Sequence, residues 1–181
     1  MDYLRESHTL LSLILQIPPI PPSSSLRVTF LLRLTGDVTE AITGYKPHTD
    51  TLHQLLAWLN DLDQGWLAVL RSQAWDTDSC VGVDVPREHD GLEPPDGDTK
   101  SPLSSPMSQT ERTRLRSLLI SGTSRLEEWL VELDTCDQDY TTVLQTMGLQ
   151  QDFDELFAGT LTEMGSLNGI MNVPQGMEGT C

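Results

Sequence analysis

The feature that most constrains this chain is an apolar repeat between Glu111 and Met147. Apolar or small residues recur there at alternating steps of four and three, a mean of about 3.5 residues, which keeps them on one side of an α-helix. Leu118, Leu130 and Leu144 widen this stripe beyond the narrow seam of a coiled-coil dimer. We therefore predict a mainly α fold, either a small helix bundle or an antiparallel helical hairpin, with a coiled-coil-like long helix. The repeat comprises Leu115, Leu119, Gly122, Leu126, Trp129, Leu133, Cys136, Tyr140, Val143 and Met147.

A second amphipathic segment is the expected partner of this helix. It begins at Thr49 or Asp50 and continues to about Trp75. Trp66 on this segment and Trp129 on the long helix are predicted core anchors, because burying a large apolar side chain contributes about 1.5–3 kcal/mol. The apolar face consists of Leu52, Leu55, Leu59, Leu62, Trp66 and Val69.

The apolar residues between Leu26 and Val38 fit two periods. Alternate positions are apolar, as in a strand, but apolar residues also recur every four positions, as in a helix. The helix is favoured because the serines at 23–25 offer an N-cap and no other segment resembles a partner strand. Gly44 and Pro47 are expected to end it. The sequence thus predicts a helical region over 26–75.

Prolines, glycines and acidic residues divide the rest of the chain. Two Pro-Pro pairs and three serines predict a rigid, extended linker after a short N-terminal helix. The segment before the long helix is acidic and proline-rich with few large apolar residues, which is typical of a disordered loop. The predicted units are an amphipathic helix at 1–17, the linker at 18–25, the loop at 76–110, the long and C-terminal helices at 111–166, and a disordered tail at 167–181.

The charge distribution restricts the partners of the chain. The formal net charge is −16, and no Lys or Arg follows Arg125. Because an acidic surface repels a phosphate backbone, we expect no direct nucleic-acid binding. Three cysteines, an odd number without a C-x-x-C pair, favour a reducing interior, cytoplasmic or nuclear. No apolar run reaches the eighteen or so residues needed for a transmembrane helix, and the N-terminal segment lacks the charge of a signal peptide.

Recognisable catalytic chemistry is missing from the sequence. The four histidines have no serine, cysteine or acid at a motif spacing, and there is neither a phosphate-binding glycine motif nor a His/Cys quartet for zinc. We therefore expect no enzymatic activity, no cofactor and no metal.

Two functions remain. The first is a non-catalytic adaptor or subunit that binds partner helices through its amphipathic faces, as a possible homo- or hetero-oligomer. The second is an acidic regulatory protein in which 149–164 is a recognition peptide of the transcriptional-activation or adaptor-binding type, since acidic residues surround spaced apolar ones there. Gly148 is expected to separate this segment from the long helix. The candidate partner-binding residues are Phe153, Leu156, Phe157 and Leu161.

The central loop also carries candidate phosphorylation sites. Ser101 and Ser105 each precede a proline, and Ser108 is followed by an acidic residue three positions later. A phosphate in an already acidic loop would act by binding the Arg and Lys residues of a partner. Regulation of the adaptor by phosphorylation of this loop is therefore part of the prediction.

Overall fold

Seven helices and one small β-hairpin make up the part of the chain that the computed structural model describes, residues 2–85, 107–133 and 139–171. The predicted mainly α bundle is confirmed. The elements are α1 (Asp2–Leu15), α2 (Ser23–Ile42), α3 (Thr49–Leu70), β1 (Ala74–Asp76), β2 (Val81–Val83), α4 (Gln109–Val131), α5 (Tyr140–Thr146), α6 (Gln150–Asp154) and α7 (Ala158–Met171). Among these residues no helix combines the length and the hydropathy needed to cross a membrane.

Helix α3 is the centre of the bundle and packs against α1, α2, α7 and the hairpin. The predicted core anchor Trp66 is fully buried on it. Its indole Nε1 donates a hydrogen bond to Thr35 Oγ1 at 3.1 Å, and this hydroxyl donates to the carbonyl oxygen of Leu31 at 2.8 Å. A buried polar group without a partner is costly, so this chain of bonds lets the indole join the core of α2 and α3.

The predicted stripe of the long helix is buried, but the predicted continuous helix to Met147 is wrong. Leu115, Leu119, Leu126 and Trp129 are each at most 7% exposed. Helix α4 ends at Val131, and α5 begins a new helix at Tyr140. Residues 132–139 contain three aspartates and a threonine, which have low helix propensity, and this outweighs the apolar spacing. Cys136 lies outside the described residues.

Helix α4 lies close to α2 through Gly122. A Cβ atom added at Gly122 would lie 2.9 Å from Thr39 Cγ2, which is closer than real Cβ atoms pack. One turn earlier on α2, an added Cβ at Gly36 would lie 3.7 Å from Leu118 Cδ2.

The C-terminal half of α4 packs against the first half of α3. Helix α3 is therefore a side-chain partner of the apolar stripe of α4, as predicted. Leu52, Leu55, Leu56 and Leu59 of α3 surround the same small cavity as Leu126, Trp129 and Leu130 of α4.

Alanine favours a helix over glycine by about 1 kcal/mol. We nevertheless expect Gly122→Ala to lower the free energy of unfolding by about 1 kcal/mol. The added methyl would collide with Thr39, whose Oγ1 donates to the Thr35 carbonyl oxygen at 2.6 Å and so holds the rotamer. In a Thr39→Ser background, which lacks the colliding methyl, the same change should stabilise by about 1 kcal/mol. Urea denaturation of the four proteins of this cycle measures the coupling. Equal effects in both backgrounds would contradict the contact.

The linker is shorter and less extended than predicted. Helix α2 begins at Ser23, with Pro22 as its N-cap, and residues 16–22 form turns and bends. The Ser24 amide donates to the Ile20 carbonyl oxygen at 3.1 Å, so the chain is already turning before the helix starts. The helical alternative for 26–38 is confirmed.

The predicted boundary at 75/76 and the predicted loop at 76–110 both need correction. Helix α3 ends at Leu70, and Trp75 lies in β1, which pairs antiparallel with β2 in the register Ala74–Val83 and Asp76–Val81. Asp76 shapes the turn, since its carboxylate accepts hydrogen bonds from the Asp78 amide and the Ser79 hydroxyl, which lower its pKa. Two three-residue strands are marginal alone, and this hairpin packs on the end of α3.

The last residues of the predicted loop and the first residues of the predicted tail are helical. Helix α4 starts at Gln109, and Met107 before it is 2% exposed. Helix α7 continues to Met171, beyond the predicted end at 166. Residues 86–106 and 172–181 lie outside the described part of the chain.

Candidate partner-binding groove

Gly148 separates α5 from the C-terminal segment, as predicted. It has φ +72°, a left-handed conformation that glycine adopts without steric cost. The Leu149 amide donates to the Leu144 carbonyl oxygen at 2.8 Å and the Gly148 amide to that of Gln145 at 3.1 Å. These two bonds form a Schellman motif, which also brings the buried Leu144 and Leu149 to the same helix end. The chain therefore turns back onto the bundle here.

A second sharp turn joins α6 to α7 at Phe157. Its φ of +58° is unusual for a residue with a bulky side chain and stores backbone strain. Its side chain is only 3% exposed, so burial of the ring offsets the strain. The turn directs the start of α7 toward α3.

Helix α7 is held on α3 by polar bonds as well as by apolar packing. The Asp63 carboxylate on α3 accepts a hydrogen bond from the Thr160 amide at 3.0 Å, and so caps the first turn of α7. The fully buried Thr160 hydroxyl donates to the Asp63 carbonyl oxygen at 3.3 Å. A Cβ atom added at Gly159 would lie 2.8 Å from Asp63 Oδ2, so a larger residue there would have to displace this carboxylate. One turn further on, Arg71 Nε and Nη2 donate to Glu163 Oε2 at 2.9 and 2.6 Å.

The two turns leave a groove between the outer face of α3 and the segment from α6 to the start of α7. Its volume is about 650 Å³, within the range of about 300–1,000 Å³ that ligand sites occupy. Its apolar surface comes from Leu56, Leu59, Leu67, Leu149, Leu156 and Phe157. We call this feature the α3/α6 groove.

The charged residues of the α3/α6 groove are almost all acidic. Asp63 on α3 and Asp152 and Glu155 on the opposite side line it, and the last two are exposed. His53 is the one lining residue with a basic side chain, and none is Lys or Arg. Apolar side chains alternate with carboxylates and amides in this lining, so the groove complements an amphipathic ligand that carries positive charge.

The four predicted partner-binding residues have different environments. Leu156 and Phe157 line the α3/α6 groove. Phe153 is 7% exposed and faces the interior, around the same small cavity as Leu144 and the α3 leucines. Leu161 is half-buried against the core. The structure therefore brings two of the four together at a surface, and their binding of a partner stays a prediction.

Ser108 is the only predicted phosphorylation site among the described residues, and it caps α4. Its Oγ accepts a hydrogen bond from the Glu111 amide at 3.3 Å, while Glu111 Oε2 accepts from the Ser108 amide at 2.8 Å and from its hydroxyl at 2.7 Å. On phosphorylation this capping box would lose the hydroxyl donor of Ser108 and gain a charge beside the Glu111 carboxylate. Ser101 and Ser105 lie outside the described residues.

The α3 side of the groove was missed by sequence reasoning. His53, Ala57, Asn60, Gln64 and Leu67 line it from one face of α3, since steps of four and three bring them to the same side. The helical spacing of these residues can be read from the sequence, but a helix face with so many polar residues is predicted to contact solvent. Only the return of the chain at Gly148 and Phe157 turns this face into the wall of a groove.

Among the described residues, no group of three or more His, Cys, Asp or Glu side chains is placed to hold a metal ion. Comparison of the chain with protein-family models, with curated proteins and with solved structures gives no match.

Proposed function

We propose that this chain is a non-catalytic helical adaptor or subunit that binds an amphipathic helix of a protein partner in the α3/α6 groove. The observation that carries the proposal is the groove itself, in which leucines and Phe157 lie beside Asp63, Asp152 and Glu155 and no Lys or Arg is present. A helix with leucines on one face and lysines or arginines at its edges matches this surface in polarity and charge. The partner we expect is therefore basic.

The contacts of α7 support this proposal over the recognition-peptide alternative. Thr160 is fully buried and bonded to Asp63, and Arg71 is paired with Glu163. A segment that detaches to bind elsewhere would break these bonds and expose Phe153 and Phe157. Residues 149–164 serve better as one wall of a binding groove than as a free peptide.

Regulation and location complete the proposal. Phosphorylation of Ser101 or Ser105 would add negative charge to an acidic chain and favour a basic partner further. The odd cysteine count supports an intracellular site of action, cytoplasmic or nuclear. Oligomer formation with a second copy or with another subunit would use the same kind of helical contact.

The experiment uses the purified full-length chain and a helix-forming peptide with leucines on one face and lysines on the other. Ala57 is exposed on the α3 wall, so Ala57→Gln should narrow the groove without disturbing the core and should abolish binding measured by calorimetry. Ser124→Gln, an exposed change on α4, is the matched control and should bind as the natural chain does. Equal binding by both variants would contradict the groove as the site.

The acidic rim is tested separately. Asp152→Asn combined with Glu155→Gln should weaken binding and reduce its dependence on salt, because two charges facing the peptide are removed. Glu127→Gln combined with Glu128→Gln removes two exposed charges of α4 and should leave binding nearly unchanged. If both double variants weaken binding equally, the net charge of the chain attracts the peptide and the acidic residues of the α3/α6 groove have no specific part in binding.

A further inference from the structure

A second cavity lies at the other side of the bundle, where three segments meet. The start of α1, the α2–α3 connection and the end of α4 enclose about 300 Å³. The rings of Tyr3 and Tyr45 stand 6.2 Å apart between centroids, and Trp129 completes the aromatic lining. Trp129 Nε1 donates to the Tyr45 carbonyl oxygen at 2.5 Å, which fixes the indole against the connection. We call this cavity the aromatic pocket.

The floor of the aromatic pocket is apolar. Leu4, Ile42 and Leu55 line it and are 8%, 5% and 5% exposed. Aromatic pairs at centroid distances of about 4.5–7 Å are more favourable than the area they bury accounts for, so a ligand ring that packs on Tyr3, Tyr45 or Trp129 gains this contact as well. The walls and floor therefore suit a flat aromatic group better than a flexible chain.

The rim of the aromatic pocket is cationic in a chain whose net charge is −16. Lys46 and His48, both exposed, belong to the lining, which contains no Asp or Glu. Lys46 makes no ion pair with a described residue, so its ammonium group is available to a ligand. The nearby Asp37 carboxylate is already paired with Arg33 Nε at 2.7 Å.

The Tyr3 hydroxyl adds a hydrogen-bond donor to the pocket. A phenol is protonated at neutral pH, and partial burial, the main cause, raises the pKa of Tyr3 further. The Thr51 hydroxyl also lines the cavity, but it already donates to the His48 carbonyl oxygen at 2.8 Å. A carboxylate accepts bonds from Tyr3 and Lys46, whereas a neutral or cationic group cannot use the Lys46 charge.

We propose that the aromatic pocket binds a small aromatic carboxylate, with its ring against the Tyr3–Tyr45 pair and Trp129 and its carboxylate at Lys46. This site is separate from the α3/α6 groove and does not depend on the adaptor proposal. It would make the chain responsive to a small acidic molecule.

The test is a titration of the full-length chain with 2-naphthoate, followed by calorimetry. Neutral 2-naphthylmethanol and cationic 2-naphthylmethylammonium have the same ring system and serve as matched ligands. We expect 2-naphthoate to bind about tenfold tighter than the alcohol, the size of one charge-assisted hydrogen bond, and the amine to bind weakest. Equal affinities of acid and alcohol, or no heat with any of the three, would overturn the proposal.

Variants locate the site. Lys46→Met should weaken 2-naphthoate about tenfold and leave the alcohol unchanged, whereas the exposed Arg114→Met on α4 should change neither. Tyr45→Ala keeps the carbonyl that Trp129 uses but removes one wall, and should weaken both ligands. The indole N–H signal of Trp129, identified in NMR spectra with Trp129→Phe, should shift on binding. A static Trp129 signal, or loss of affinity in Arg114→Met as large as in Lys46→Met, would place the ligand elsewhere.

Discussion

A chain that ends at Gly148 will not fold into the bundle. The deleted segment supplies Leu149, Phe153, Phe157 and Met164, each at most 7% exposed. Truncating one large core side chain costs about 2–5 kcal/mol, and a protein of this size has about 5–15 kcal/mol of stability in total. Removal of four such side chains costs about 8–20 kcal/mol on this scale, which with the loss of the α7 cap at Asp63 matches or exceeds that total and uncovers one face of α3.

Circular dichroism and a thermal melt measure this outcome. We expect the shortened chain to have lost its cooperative transition, while a control chain that ends at Met171 melts as the full-length protein does. A shortened chain with a native-like cooperative melt would return 149–164 to the role of a detachable recognition peptide.

Arg27→Met will raise the free energy of unfolding by up to about 3 kcal/mol. The guanidinium of Arg27 is inside the bundle with the residue only 1% exposed, and its Nη1 donates to the Gln73 carbonyl oxygen at 2.7 Å. Its Nε and Nη2 have no hydrogen-bond partner within the described part of the chain. Replacing a buried charged group by an apolar side chain of similar length often raises the free energy of unfolding by about 1–4 kcal/mol. The loss of the hydrogen bond to Gln73 lowers this gain by about 1 kcal/mol.

The pH dependence of this effect follows from the same burial, which lowers the pKa of Arg27 to about 10 from its ordinary value of 12.5. Because the folded pKa is the lower one, the unfolded chain binds more protons between these two values, and the natural protein gains stability from Arg27 as pH rises through that window. Below about pH 9 Arg27 is protonated in both the folded and the unfolded chain, so the free-energy cost of burying its charge does not change with pH. The advantage of Arg27→Met should therefore be constant from neutral pH to about pH 9 and shrink above about pH 10.

Urea denaturation at neutral pH and at about pH 10.5 measures both effects. Arg116→Met, an exposed change on α4, is the control and should alter stability little at either pH. If Arg27→Met is less stable than the natural chain by more than about 1 kcal/mol, the value of one hydrogen bond, the prediction is wrong. The buried guanidinium charge would then be stabilised by more than the bond to Gln73.

The helices could be predicted because their apolar residues repeat at helical spacing over several turns. The spacing selected most of the buried residues of α3 and α4, Trp66 and Trp129 among them, but not Trp58, Ala68 or Arg112. The end of α4 at Val131 could not be placed, since the apolar repeat continues through Cys136 to Tyr140 while the residues between favour the end of a helix. The apolar spacing predicts that the helix continues there, whereas the helix propensity of the residues predicts that it ends. The sequence alone does not show which effect is larger.

The β-hairpin and the groove depend on contacts between distant parts of the chain. Val81–Val83 is too short to be identified as a strand, and it is stabilised by the end of α3, where an added Cβ at Gly82 would lie 2.8 Å from Ala68 Cβ. The α3/α6 groove requires the bond between Asp63 and Thr160, which are 97 positions apart. Amphipathic spacing identifies which residues are apolar, but it does not show which of them meet.

The docking of α7 on α3 also has a consequence for biosynthesis. Thr160, whose amide binds Asp63, is translated 97 codons after Asp63. Until the segments from α4 to α7 are made, the leucines of α3 have only α1, α2 and the hairpin to cover them, and nascent chains with uncovered apolar surface are prone to aggregation. Slow translation of the acidic central region would prolong this exposure, so expression yield should respond to chaperone supply and to the rate at which the second half of the message is read.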